Sequence, residues 1–433
     1  MTEATQPRMA RGTKLPLAAL AAALFALLAF APYASATADP VESGSATITL
    51  NNGFTKYLKT FGIKITKISP AKLKGKKATF PVTAGEVDPT TGGGTVNLGG
   101  GLKFKAGKKS APVKGLVLDT NKKALFAKVA GKKVKLAAVG GYSFTRAGFG
   151  VSMTIKKLKL TKTAAKKLNK KLGYAKGKPK PFIANKLMGS AKAEEQPATV
   201  ALLPGGNVSF NADQELLKKL KDVETNAAVI APTTEKGFGN YELPITGGNI
   251  GPTGAAGQVQ TSGGLLLTQK LPTSPTTALE TEITLGNMWL DLSAKTVTVE
   301  VIAHSNAESE GKKPLDLGNL GRSSIADLTI TKVTTNAAAR TVSVDSSAVL
   351  QPISAEVLEG FVKVYQGYYE AGVFIKACEG APTQCNNPDP NVKKAEEEGA
   401  RKAAKEAAEK RVEKDHISAG NPLGTFSFTA QTQ

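Results

Sequence analysis

One stretch used twice constrains this chain more than any other feature. Residues 80–104 read FPVTAGEVDPTTGGGTVNLGGGLKF and residues 243–267 read LPITGGNIGPTGAAGQVQTSGGLLL, with 10 of 25 positions identical without a gap. Unrelated segments of average composition would share about one or two. Each copy is an apolar run, a Gly/Pro turn and a second run closing on a double glycine, the pattern of a β-hairpin. The glycines permit φ > 0 and close backbone approach. Pro89 and Pro252 suit the turn and would not suit a central ladder. The chain is therefore a duplication of one unit.

The correspondence runs on in both directions. Ala46 to Leu50 alternates as a strand, and Asn51 or Asn52 can cap a short helix through Phe54, Tyr57, Leu58 and Phe61 that Gly62 ends. Val200 to Leu203 and Leu216 to Leu220 repeat that order. After the hairpins, Leu290-Asp291 falls over Leu118-Asp119, and a helix at 351–361 matches one at 161–172, with Ala355 over Ala165 and Leu358 over Leu168. The repeats thus cover 46–173 and 199–361, with 174–198 as a linker and the second unit continuing to 433. In that continuation 361–375 reads as extended chain. Residues 392–414 form a charged helix, mostly alanine on its apolar side and so a solvated arm. Residues 424–430 alternate as a last strand that would pair with 361–375, making 376–420 an insertion. The expected fold is mainly β: two related sandwich-like or half-barrel repeats, each with one or two short helices, plus the charged helical insertion.

The N-terminus reads as an address. Arg8, Arg11 and Lys14 precede an apolar run from Leu15 to Ala31, and Ala34-Ser35-Ala36 and Ala36-Thr37-Ala38 both fit a small-residue cleavage site. Residues 1–38 are expected to be a secretory signal peptide, with an uncleaved membrane anchor as the alternative. The expected location is secreted, extracellular or envelope-associated. In an exported chain the two cysteines, Cys378 and Cys385, are expected to form a small disulfide loop.

Charge is distributed unevenly. Residues 52–180 hold 31 Lys or Arg against Glu86, Asp88 and Asp119, a net of +28, whereas 181–433 hold 23 basic and 29 acidic residues, a net of −6. Such a field attracts anionic polymers or a membrane surface. Nucleic acid is not expected, because the address argues against it and aromatic platforms are missing.

No catalytic pattern stands out. His304 and His416 are the two histidines, and neither lies near a recognisable nucleophile. There is no G-x-S-x-G elbow, H-E-x-x-H or P-loop, and Glu86 and Asp88 are replaced in the second copy by Asn249 and Gly251. An enzyme is not expected. Tyr57 has two readings: a helix tyrosine half-packed on a sheet, or a phenolate ligand for haem iron in an apolar slot, with lysines pairing propionates.

The helix GFTKYLKTFG, the two hairpins and the ending AGNPLGTFSFTAQTQ together resemble the haem-transport-associated (HtaA) domain family of actinobacterial secreted and surface proteins. The resemblance covers most of the chain after residue 45. It implies an exported, largely β domain, often duplicated, that binds haem at the cell envelope in iron acquisition. It places Tyr57 in the family's tyrosine position, Thr55 where a serine is common, and Lys108 or Lys109 where the family has a histidine. Lys219 aligns with Tyr57 in the second repeat. The function implied is haem binding or relay; the alternative is a non-catalytic envelope module that has lost the haem site and binds anionic cell-surface polymers through residues 52–180.

Overall fold

The structure is a computed structural model and describes residues 38–174, 179–274, 277–306, 318–378, 385 and 387–433. The signal segment expected over residues 1–38 lies outside them except for Ala38. The first repeat contributes β1 (Asp39–Leu50), β2 (Ile63–Ile68), β3 (Lys72–Lys74), β4 (Lys77–Val87), β5 (Gly94–Ala106), β6 (Lys109–Asp119), β7 (Ala124–Val129), β8 (Lys132–Ala147), β9 (Gly150–Leu160) and β10 (Leu187–Pro197). Helix α1 (Asn52–Thr60) follows β1 and α2 (Lys162–Lys171) follows β9. The second contributes β11 (Val200–Ala201), β12 (Asn207–Ala212), β13 (Thr225–Ile230), β14 (Thr234–Gly237), β15 (Asn240–Ile250), β16 (Gly257–Thr261), β17 (Gly264–Pro272), β18 (Ala278–Asp291), β19 (Thr296–Ser305), β20 (Gly318–Asn336), β21 (Thr341–Leu350) and β22 (Pro422–Gln431). Its helices are α3 (Gln214–Asp222), α4 (Pro352–Cys378) and α5 (Pro390–Val412).

Each repeat closes on itself. In the first, the ladder runs β5-β6-β7-β8-β9-β10-β1-β4 and returns to β5, because β4 also pairs β5. In the second it runs β16-β18-β19-β20-β21-β22-β12-β15 and returns to β16. Both are antiparallel eight-stranded barrels, so the expected mainly-β repeats are found, and the half-barrel closes fully. Closure removes the exposed edges that an open sheet would have to protect. The duplicated hairpin is the closing seam of each barrel, β4–β5 and β15–β16. Its shared glycine explains part of the repeat: Gly100 and Gly263 both have φ +83°, and a Cβ would meet the Ala71 and Thr233 backbone nitrogens at 2.5 and 2.6 Å.

Four expectations change. The linker 174–198 contains β10, which pairs with both β1 and β9 and supplies a wall of the first barrel. Its alternation (Ala191, Ala193, Glu195) is masked by mixed polarity, and its partners are far away in sequence. The first unit also starts at Asp39, not residue 46, and β1 corresponds to β11 and β12 together. Residues 361–375 are helical, inside α4, because Phe361, Val362, Val364 and Tyr365 are buried at helical spacing. β22 therefore pairs with β12 and β21 instead. Finally, α5 packs along α4, burying Ala404, Ala408 and Val412. Small side chains let the two helices approach, so the alanine face is an interface rather than a solvated one. Cys378 and Cys385 are bridged at the end of α4, with Cα atoms 5.0 Å apart.

The two barrels meet along a seam. Phe149, in the β8–β9 turn, belongs to the second barrel's apolar cluster. Asp39 Oδ1 accepts the Ala201 N–H at 3.2 Å, and Arg146 Nη2 donates to the Gln433 carbonyl. Burial pushes the Asp39 carboxyl up to about 6 and Glu195 up to about 7, with Arg146 opposing both shifts.

Candidate functional site

The end of the first barrel bearing α1 and α2 gathers the residues singled out in the sequence. Asn51 caps α1, accepting the Phe54 N–H at 3.2 Å, and Phe54 and Leu58, one turn apart, point into the barrel. That leaves Tyr57 on the flank of the helix, half-buried. Its hydroxyl donates to the Lys180 carbonyl at 3.4 Å, and the Lys186 ammonium lies 6.0 Å from its ring centroid. The barrel interior behind it is filled: Phe182 packs on Phe54 and Phe104 at centroid distances of 6.3 and 5.2 Å. Only about 20 Å³ of cavity remains there. No planar ligand fits inside.

The open space is beside α2. A groove of about 600 Å³ runs between α2 and residues 180–184. Ala165, Phe182, Ile183 and Ala184 provide its apolar side, with Ile183 42 % exposed. Lys162, Lys166, Lys170 and Lys180 line it, and no carboxylate does among the described residues. Alternation along α2 produces this: Ala164, Ala165 and Leu168 are buried, and the intervening lysines are turned out along the rim.

An aromatic line joins this groove to α1. Tyr57 packs edge-on to Phe61 at 5.2 Å, Phe61 packs edge-on to Tyr174 at 5.9 Å, and Tyr174 lines the groove while donating to the Phe61 carbonyl at 3.2 Å. Thr55 turns away: its hydroxyl donates to the Asn51 and Asn52 carbonyls of its own helix. Lys108 sits exposed in the β5–β6 turn, and its neighbour Lys109 packs against Gly173, which lines the groove. Tyr57 is thus brought to the site, Lys109 replaces Lys108 beside it, and Thr55 serves the helix. The α2 lysines went unnoticed in the sequence, where they look like any solvated helix face; only the apolar strip beside them marks a groove.

In the second barrel the corresponding end is closed by the chain itself. Lys219, in the place of Tyr57, donates to the His416 carbonyl at 3.0 Å, and Ile417 is buried in the core. His416 Nδ1 lies 2.7 Å from Glu359, and His304 faces Glu282 across the β18–β19 pair. Among the described residues no cluster of His, Cys, Asp and Glu could hold a metal ion, and no helix is long and apolar enough to cross a membrane.

The donor set near the groove can be tested against haem. Two phenols stand near it, Tyr174 in the lining and Tyr57 beyond Phe61, and a phenolate is a hard oxygen ligand suited to ferric iron; the lysines suit carboxylates; the Ala165–Ile183 side suits an apolar ring face. The residues present fit a haem held by one protein ligand at the groove and not one buried in the barrel.

No family profile and no curated protein match the chain. Among solved structures it is similar to the C-terminal domain of HtaA from Corynebacterium glutamicum, at 13% identity over 36% of this chain and 98% of that one, TM-score 0.29. It is similar to the N-terminal domain of the same protein at 7% identity over 54% and 98%, TM-score 0.31. It is also similar to the heme binding protein HtaB of that bacterium at 10% identity over 54% and 96%, TM-score 0.30. These are structures of the family that the α1 and hairpin motifs resemble, and superpositions this loose transfer no site.

Proposed function

We propose that the chain is a non-catalytic, exported envelope protein whose first barrel binds an anionic, amphipathic ligand at the α1–α2 end, haem being the ligand whose chemistry matches best. The observation that supports this is the groove: an apolar strip bordered by four lysines and connected through Phe61 and Tyr174 to the Tyr57 phenol. An apolar ring face would lie on Ala165 and Ile183, its carboxylates would meet the α2 ammonium groups, and Tyr57 would supply the iron ligand. Haem, when bound, would supply the iron that an acquisition or relay system carries. The test is a visible spectrum of the purified protein titrated with haemin. A shifted Soret band with a tyrosinate-like charge-transfer band is expected, lost in Tyr57→Phe and kept in Lys219→Ala. A spectrum that survives Tyr57→Phe moves the site elsewhere.

A second reading has its own observation. Lys128 stands directly opposite Lys114 on β6 and Lys133 on β8, and Lys64 stands opposite Lys105. Like charges facing each other across strands destabilise a sheet, and an anionic polymer laid over the row relieves that repulsion. Binding of the intact protein to acidic cell-wall polymer would weaken steeply with salt. It would drop again in the Lys114→Gln/Lys128→Gln/Lys133→Gln variant. Insensitivity to both removes this reading.

A further inference from the structure

The two barrels differ in how their interiors are filled. In the first, Phe54, Phe104 and Phe182 meet at the helical end and leave about 20 Å³. The residues at the corresponding places of the second are Leu216, Leu267 and Ile417. The first correspondence follows from the shared cap, where Asp213 accepts the Leu216 N–H as Asn51 accepts that of Phe54. The second follows from the hairpin alignment. Leu216 and Leu267, in the places of two of the rings, line a cavity of about 90 Å³ beneath α3 and the first turns of α4.

Its lining is almost wholly apolar, from Leu216, Leu217, Leu265, Leu267, Ile283 and Val357 among others. Four hydroxyl-bearing residues interrupt it, Tyr241, Ser323, Ser324 and Ser354. Ser323 on β20 pairs with the buried core residue Val299 and so faces the barrel interior, whereas Ser324 pairs with Thr298 and alternates to the other face; the bulge that follows turns Ile325 and Ala326 inward together. Ser323 is 3 % exposed, and neither Oγ atom has a hydrogen-bond partner among the described residues. The first barrel has Val134 and Lys135 at the equivalent positions, opposite Ala127 and Phe126 as the serines are opposite Val299 and Thr298. A buried hydroxyl without a partner is unfavourable, and the Ser323 hydroxyl on the inner face is a donor for a group that the space admits.

We propose that the second barrel is itself a receptor: its interior binds a small neutral apolar molecule, or the end of an aliphatic chain, carrying one carbonyl-type acceptor that takes a hydrogen bond from Ser323. The volume limits the buried part to about the size of a six-membered ring, since cavities of this order lined by Leu and Ile admit benzene. A carboxylate is disfavoured, because no cation lines the cavity to offset its desolvation. The barrels thereby divide their ligands, the first taking an anionic amphiphile on its surface and the second a neutral group inside.

The experiment uses the full chain with two probes of similar size, cyclohexanone and methylcyclohexane, titrated by saturation-transfer NMR. Both should bind, cyclohexanone about tenfold more tightly, the difference expected of one net hydrogen bond. Ser323→Ala should remove that tenfold preference and leave methylcyclohexane within about twofold. Leu267→Phe and, separately, Leu216→Phe should abolish binding of both, by restoring the filling of the first barrel; two positions guard against one variant failing to fold. Absence of transfer to either probe, no preference for the ketone, or binding that persists in both folded phenylalanine variants overturns the proposal.

Discussion

Asn169 holds Phe182 by both of its backbone polar groups: its Oδ1 accepts the Phe182 N–H at 3.1 Å and its Nδ2 donates to the Phe182 carbonyl at 2.8 Å. The clasp pins the returning chain so that the Phe182 ring plugs the barrel. The second barrel repeats the device with a different residue. Glu359, one position after Leu358 as Asn169 is after Leu168, accepts the Ile417 N–H at 2.8 Å. What the duplication preserved is a side chain on the closing helix that captures the backbone of the plug.

Asn169→Leu should therefore destabilise the first barrel by about 2–3 kcal/mol, since a buried N–H and a buried carbonyl lose their partners. Urea denaturation would measure it. A change below about 0.5 kcal/mol would show that the clasp is incidental.

The first barrel needs β10. A fragment 39–174 lacks the strand lying between β1 and β9, so it should show no cooperative thermal transition, whereas 39–198 should melt as one unit. Circular dichroism on the two fragments decides this, and equal cooperativity would contradict the closure.

The seam between barrels predicts a pH dependence. Asp39 and Glu195 have folded-state pKa values raised to about 6 and about 7, above the ordinary range near 4. Between about pH 4 and pH 7 the native state binds more protons than the unfolded one, so stability contributed by these groups is full below 4 and lost as pH rises through 7. The melting temperature should fall from pH 5 to pH 8. Glu195→Gln should flatten the fall, by an amount on the order of 2–3 kcal/mol at pH 8. A profile unchanged by the substitution would place the titration elsewhere.

The Cys378–Cys385 bridge closes a short loop between α4 and α5. Chain-entropy arithmetic for such a loop gives about 2.5 kcal/mol. Unfolded, unreduced protein should show no free thiol, and Cys378→Ser/Cys385→Ser should loosen α5 from α4 in hydrogen exchange without unfolding the barrels. Two reactive thiols, or unchanged exchange in α5, would go against it.

Much was determined by the sequence alone. The hairpin repeat, the Asn51 cap with Phe54 and Leu58 one turn apart and the alternation of 424–430 are local patterns. Their physical causes, capping bonds and side-chain period, act over a few residues, so they can be seen without a fold. The placement of Tyr57 on the flank of α1 follows from the same period. Tertiary structure alone decided the rest. β10 is a strand because β1 and β9 offer it two ladders, 361–375 is a helix because α5 covers one side of it, and the groove exists because residues 180–184 return past α2. Ser323 faces the cavity only because the register of β19 against β20 sets it opposite Val299. Each of these depends on partners far away in sequence, and pairing across such distances leaves no local trace in composition or period.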